Sequence, residues 1–145
     1  MIKTFIHVGF LKTGSTFLQK NIFSKLRNIK YVHFNEKNFL IEEFNHIQTT
    51  GDLFLSERKI LKIKKYISKN KNKDLLISSE NLSGSINTPS IGTTINIPII
   101  SKRLKKIFKN PQIIIFLRNQ KDMIISSYKD DVAFGYSLSF EQWLE

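Results

Sequence analysis

Met1-Ile2-Lys3-Thr4-Phe5-Ile6-His7-Val8-Gly9-Phe10-Leu11-Lys12-Thr13-Gly14-Ser15-Thr16-Phe17-Leu18-Gln19 opens the chain, and its reading governs everything after it. Ile2 to Val8 alternates and is rich in β-branched and aromatic residues, which predicts a strand that ends at Gly9. After Gly14 come Ser15 and Thr16, then Leu18, Ile22 and Leu26 at a four-residue spacing that predicts one apolar helix face. Gly9 and Gly14 stand at the separation of a phosphate-cradling loop, which aims backbone N–H groups and the positive end of a helix at an anion. An ordinary turn between strand and helix is the plainer reading of two glycines. The strand, loop and helix order favours the anion site.

Working outward, Tyr31 to Phe34 reads as a short strand, Lys37 to Phe44 as a short helix, and Ser56 to Asn70 as a longer one. The Lys-rich stretch from Arg58 to Lys73 interleaves Ile60, Ile63, Tyr66 and Ile67 at helical spacing, so its lysines read as a solvated face. Asp74 to Ser79 has the apolar middle of a buried strand, with Glu80 at its end. Asn81 to Pro98 reads as a long loop, of the kind that is usually functional or mobile. Lys102 to Lys109 follows as a basic helix stopped by Asn110-Pro111, and Gln112 to Leu117 as a strand buried on both faces, with Arg118 directly after it. A helix is predicted over Lys121 to Asp130, and Ser139-Phe140-Glu141-Gln142 has the form of a capping box opening another. That last helix is short enough to be marginal alone, so residues 1–145 read as one domain forming the front part of a longer protein. Alternating strands and helices predict an α/β fold with a parallel sheet and ligands at the carboxyl ends of its strands. The Gly9 loop, Glu80 and Arg118 all fall at such ends.

The 145 residues carry 23 basic and 12 acidic side chains, a net charge of +11, which favours anionic partners without naming one. With 41% hydrophobic residues and 12 Phe the composition is that of a globular protein, which excludes disorder as the main state. The absence of cysteine excludes disulfides, thiolate metal sites and a cysteine nucleophile, and a reducing, cytoplasmic compartment is the simplest assignment. The longest apolar runs, such as Ile113 to Leu117, fall far short of the ~18 residues of a membrane span. His33 and His46 lack metal-ligand spacing, so no metal is expected, and His7 reads as a hydrogen-bonded core histidine.

The loop departs from that of a nucleoside-triphosphate enzyme at one place. Ser15 follows Gly14 where an ATPase or kinase carries lysine, and the lysine sits inside the loop as Lys12. The run from His7 to Gln19 resembles the 5′-phosphosulfate loop of sulfotransferases that use 3′-phosphoadenosine 5′-phosphosulfate (PAPS), although Leu11 replaces the proline or histidine common before the lysine. A second match lies about a hundred residues on. Leu117-Arg118-Asn119-Gln120-Lys121-Asp122-Met123-Ile124-Ile125-Ser126 resembles the family's 3′-phosphate motif, an arginine followed eight positions later by a serine, with Gln120 in place of the usual proline.

The resemblance implies a three-layer, P-loop-like parallel sheet flanked by helices, and PAPS as donor without a metal. It implies that Lys12 contacts the bridging and sulfuryl oxygens, that Thr13, Gly14, Ser15 and Thr16 hold the 5′-phosphate, that Phe17 takes the place of an adenine-stacking aromatic, and that Arg118 and Ser126 hold the 3′-phosphate. Family members also carry a later glycine- and basic-rich segment that closes over the cofactor, and nothing after Ser126 supplies it. Sulfuryl transfer needs charge neutralisation at the leaving phosphate, assigned to Lys12, and a base for the acceptor, which the resemblance assigns to Glu80 because it ends the strand that in related enzymes delivers a polar residue to the acceptor side. A loop-capping or lysine-pairing role explains Glu80 about as well. The expected acceptor is a small molecule or glycan bearing a hydroxyl or amine, with glycan, lipid, peptide and small phenol all left open by the residues, and nucleic acid is not expected as a partner. Two rival readings are a P-loop nucleotide kinase or NTPase and a basic nucleic-acid-binding module.

Overall fold

The computed structural model describes residues 3–9, 12–33, 57–69, 72–83 and 97–144. Strand β1 (Thr4–Val8) leads through the glycine loop into a helical segment, α1 (residues 15–25), built from an α turn (Ser15–Phe17), a π turn (Leu18–Ile22) and a 3-10 turn (Phe23–Lys25). Then come β2 (Ile29–His33), α2 (Glu57–Lys69), β3 (Asp74–Ser79), a 3-10 turn (Glu80–Ser83), α3 (Ile97–Ile107), β4 (Gln112–Ile114), α4 (Gln120–Ala133) and α5 (Phe140–Leu144). The expected helix over Lys37 to Phe44 lies outside the described residues.

The four strands form one parallel sheet in the order β2-β3-β1-β4, flanked by helices. β1 is central, with Thr4 to Val8 paired to Leu75 to Ser79 on one side and Phe5 to His7 paired to Gln112 to Ile114 on the other. At the amino ends, the Lys3 N–H donates to the Asp74 carboxylate at 2.9 Å and the Leu75 N–H to the Lys3 carbonyl at 3.0 Å, which pins the register.

Alternation along the strands sorts two layers. Ile6, Val8, Val32, Leu75 and Ile77 face α2 and α3 and pack with Ile60, Ile63, Ile100, Leu104, Ile107 and Phe108 into the main apolar core. The lysines of α2 lie outside this core, as its spacing predicts. The opposite face presents His7 and Ser78, neighbours in register, and is covered by α1.

Three expectations need correction. First, α1 buries Ser15, Gln19 and Phe23, whereas Ile22 and Leu26 are exposed, so the face marked by Leu18, Ile22 and Leu26 is the outer one. What lies beneath decides this: Gln19 Nε2 donates to Ser78 Oγ at 3.0 Å, and the Phe23 ring meets His7 edge-on at 5.2 Å. Second, α3 begins at Ile97, so Pro98 belongs to the helix instead of the preceding loop. Its missing N–H costs nothing in the first turn. Third, β4 ends at Ile114 and is not buried on both faces: Ile113 and Ile115 are half exposed and Leu117 is 81% exposed, because among the described residues β4 has a strand neighbour on one side only. Arg118 therefore stands four residues beyond the ladder instead of directly at its end.

The capping box forms as read. The Ser139 N–H donates to Gln142 Oε1 at 3.1 Å and the Gln142 N–H to Ser139 Oγ at 3.3 Å, opening α5. Phe140 and Trp143 dock this helix on α4 through the Tyr128 ring, with ring centroids 5.1 and 5.7 Å away, and Trp143 Nε1 donates to Asp131 at 2.8 Å.

Candidate functional site

Lys12 (φ 65°) and Gly14 (φ 81°) adopt positive φ and Thr13 between them does not, the alternation of backbone handedness from which anion-binding nests are built in other proteins. Gly14 is also the N-cap of α1, and no side chain caps that end. A β-carbon at Gly14 would have open space around it, so glycine is favoured there by its backbone angle and not by crowding. A β-carbon on Gly9, in contrast, would stand 2.5 Å from Ser15 Oγ, 3.1 Å from Glu80 Cγ and 3.4 Å from Glu80 Cα. The start of the loop, the start of α1 and the residue after β3 are thus packed on one another at Gly9.

The other flank of the loop is held from the β4 side. Arg118 donates from its guanidinium to the Lys12 carbonyl at 3.0 Å, joining residues 106 positions apart, and the Lys12 ammonium forms an ion pair with Asp130 of α4. A non-glycine residue at positive φ is strained. The Arg118 hydrogen bond holds the main chain of Lys12 in that conformation and the Asp130 pair holds its side chain.

The structure therefore brings Gly9, Lys12, Ser15, Glu80 and Arg118 together around one loop. Thr13 Oγ1 lies 3.4 Å from Ser15 Oγ, Ser15 is buried at 2% exposure, and Thr16 is exposed. Phe17 points outward at 62% exposure. Ser126 is partly buried on α4, one turn before Asp130, and no hydrogen bond among the described residues joins its side chain to the loop. Asp130 escaped the sequence reading, but a signal was present. Asp130 and Asp131 sit in the last turn of α4, where a carboxylate opposes the helix dipole, so each needs a local partner. Those partners are Lys12 and Trp143.

Beneath the loop lies a buried polar cluster. His7 Nδ1 and Ser78 Oγ are 2.7 Å apart, Gln19 Nε2 reaches the same hydroxyl, and the His7 ring is edged by Phe23 and Phe116 at 5.2 and 5.3 Å. The cluster ties β1, β3 and α1 together two residues before Gly9 and two before Glu80. His7 Nε2 is buried with no hydrogen-bond partner, and desolvation pushes the His7 pKa below its ordinary 6.5. Folded His7 therefore takes up a proton less readily than the unfolded chain does, so stability is greatest well above pH 6.5 and falls as the pH drops through and below it. The slope cannot exceed the one-proton limit of ~1.4 kcal/mol per pH unit. Urea midpoints measured from pH 7.5 to 5 are expected to decline, and His7→Phe to flatten the decline above pH 5, where carboxylates are not yet titrating. Parallel profiles for the two proteins would show that His7 is not its source.

Among the described residues no group of three His, Asp or Glu side chains is placed to hold a metal ion, and no helix is long and apolar enough to cross a membrane. The long loop expected over Asn81 to Pro98 lies largely outside the described residues. Its two described ends contribute Leu82 and Ile97 to an apolar cleft of about 380 Å³ that also includes Val8, Leu104 and Ile113. No protein-family model matches the chain, and no curated protein matches it.

Proposed function

We propose that this chain carries the donor site of a PAPS-dependent sulfotransferase on a P-loop-like α/β domain, moving a sulfuryl group to a hydroxyl or amine acceptor. The observation that supports the reading is the 3.0 Å hydrogen bond from Arg118 to the Lys12 carbonyl, which joins the first residue of one resembling motif to the loop of the other. Support also comes from the parallel sheet with β1 at its centre and the loop at the carboxyl end of β1.

The roles follow from charge and position. The N–H groups of the loop and of the first turn of α1 bind the 5′-phosphate, and Arg118 offers further donors in a planar fork to the 3′-phosphate. Lys12 neutralises the charge that gathers on the departing phosphate oxygen as the bond from that oxygen to sulfur breaks. Glu80, packed against Gly9, takes the proton from the acceptor hydroxyl as its oxygen forms the new bond to sulfur. A bound donor supplies the activated sulfuryl group, and the chain's own contribution is positioning and charge neutralisation.

Calorimetric titration of the full chain with adenosine 3′,5′-bisphosphate, with ATP plus Mg²⁺, and with an oligonucleotide separates this reading from its rivals. The bisphosphate is expected to bind without metal and more tightly than ATP plus Mg²⁺. Preference for ATP plus Mg²⁺ would install the kinase reading, despite Ser15 standing where its lysine belongs. Steeply salt-dependent oligonucleotide binding, with no preference for a 3′-phosphate, would install the nucleic-acid module.

A further inference from the structure

We infer that Asp130 is a built-in counter-ion of the donor site: it holds the Lys12 ammonium and must yield it when an anionic ligand enters the loop. The inference rests on reading the glycine loop as an anion site, and it adds a residue that the sulfotransferase motifs do not assign. Three observations carry it. Asp130 pairs with the side chain of Lys12, the one cation inside the loop. Arg118 fixes the main chain of the same residue, so the backbone stays in place while the side chain swings. Both members of the pair remain accessible, Lys12 at 25% and Asp130 at 48% exposure, so the exchange requires no unfolding and no opening of the core.

The electrostatics set the direction. A carboxylate on the lysine both occupies that lysine's hydrogen-bond donors and repels an arriving phosphate or sulfate. Binding must therefore replace one ion pair with another, and affinity for the anion is lower than the loop alone would give. The same exchange makes release easier once the ligand leaves, because Asp130 recaptures the ammonium. Ser126 lies one turn before Asp130 on α4, so a ligand reaching from the loop toward Ser126 passes beside this carboxylate.

The test is a double-mutant cycle on the full chain, titrated with adenosine 3′,5′-bisphosphate and, separately, with inorganic pyrophosphate in metal-free buffer. Asp130→Asn is expected to bind both ligands about fivefold more tightly than the parent, the scale of an accessible ion pair. Asp130→Ser is expected to match it, and thermal midpoints recorded alongside check that each variant is folded. Asp74→Asn, at the amino end of β3 and so at the opposite end of the sheet from the loop, changes net charge equally, keeps an oxygen for the Lys3 N–H, and is expected to give less than half the gain. In a Lys12→Ala background the gain from Asp130→Asn is expected to shrink to that of Asp74→Asn, because no lysine remains to be released. An unchanged or weakened affinity in Asp130→Asn, or a full gain persisting without Lys12, overturns the counter-ion role. If pyrophosphate follows the cycle and the bisphosphate does not bind, the counter-ion stands and the nucleotide-donor reading is lost. If the bisphosphate binds and Asp130→Asn leaves it unmoved, the reverse holds, and if neither ligand binds, both are lost.

Discussion

On the proposed sulfotransferase reading, Lys12→Ala is expected to lower sulfuryl transfer by about 10²- to 10³-fold, the cost of removing one preorganised charge from a developing oxyanion, while the chain stays folded. Folding is spared for three reasons. The lysine is only partly buried, and its pair with Asp130 is accessible to solvent. Such a pair contributes ~0–1 kcal/mol. Alanine at positive φ is no more strained than lysine, so the loop conformation is not further penalised. Transfer from radiolabelled donor to a panel of hydroxyl and amine acceptors, measured beside a thermal melt, separates chemistry from stability. Turnover at the parental level would take Lys12 out of the mechanism and leave it a loop residue with an ion pair.

Gly9→Ala works through the opposite channel, structure first and chemistry second. The added carbon meets Ser15 Oγ at 2.5 Å and Glu80 Cγ at 3.1 Å, with Glu80 Cα at 3.4 Å behind them. Ser15 is buried, so its hydroxyl has little room to turn away. The helix start and the Glu80 turn must separate, at the ~1–3 kcal/mol typical of an overpacked site. Because the contacts that give way are those joining the loop to Glu80, anion affinity is expected to fall together with the urea midpoint. A Gly9→Ala protein with parental stability and parental bisphosphate affinity would show that the close packing at Gly9 does not shape the site.

Much of the fold is legible in the residues. β1 and β3 announce themselves through alternation and apolar middles, and α2 through isoleucines at helical spacing. Asn119 accepts a hydrogen bond from the Lys121 N–H to start α4, and Ser139 with Gln142 starts α5, both with side chains whose chemistry favours that position. The failures share a cause, which is that the partner of a surface cannot be read from the surface. Leu18, Ile22 and Leu26 form a regular apolar stripe, yet a polar Ser78 with His7 beneath the helix selected Gln19 for the inside. Ile113 to Leu117 is apolar enough for a doubly covered strand, and the run remains largely exposed because burial depends on neighbours across the sheet.

The site divides in the same way. The glycine loop and Glu80 were marked by residue type at strand ends, where a parallel sheet gathers its polar groups, and Arg118 was marked by its motif although β4 ends four residues before it. Asp130 was not, because an acidic residue on an otherwise ordinary helix acquires meaning only from the cation that packs against it.

The central place of β1 has a kinetic consequence. His7 meets Ser78 across 71 residues, and Lys12 meets Arg118 across 106. A strand whose partners are so distant is slow to pair, since the entropy of long-range closure is spent before any gain from pairing. β1 is therefore expected to join its sheet after the local helices form. The glycine turn, with one side against Glu80 and the other against Arg118, is then expected among the last features to take shape.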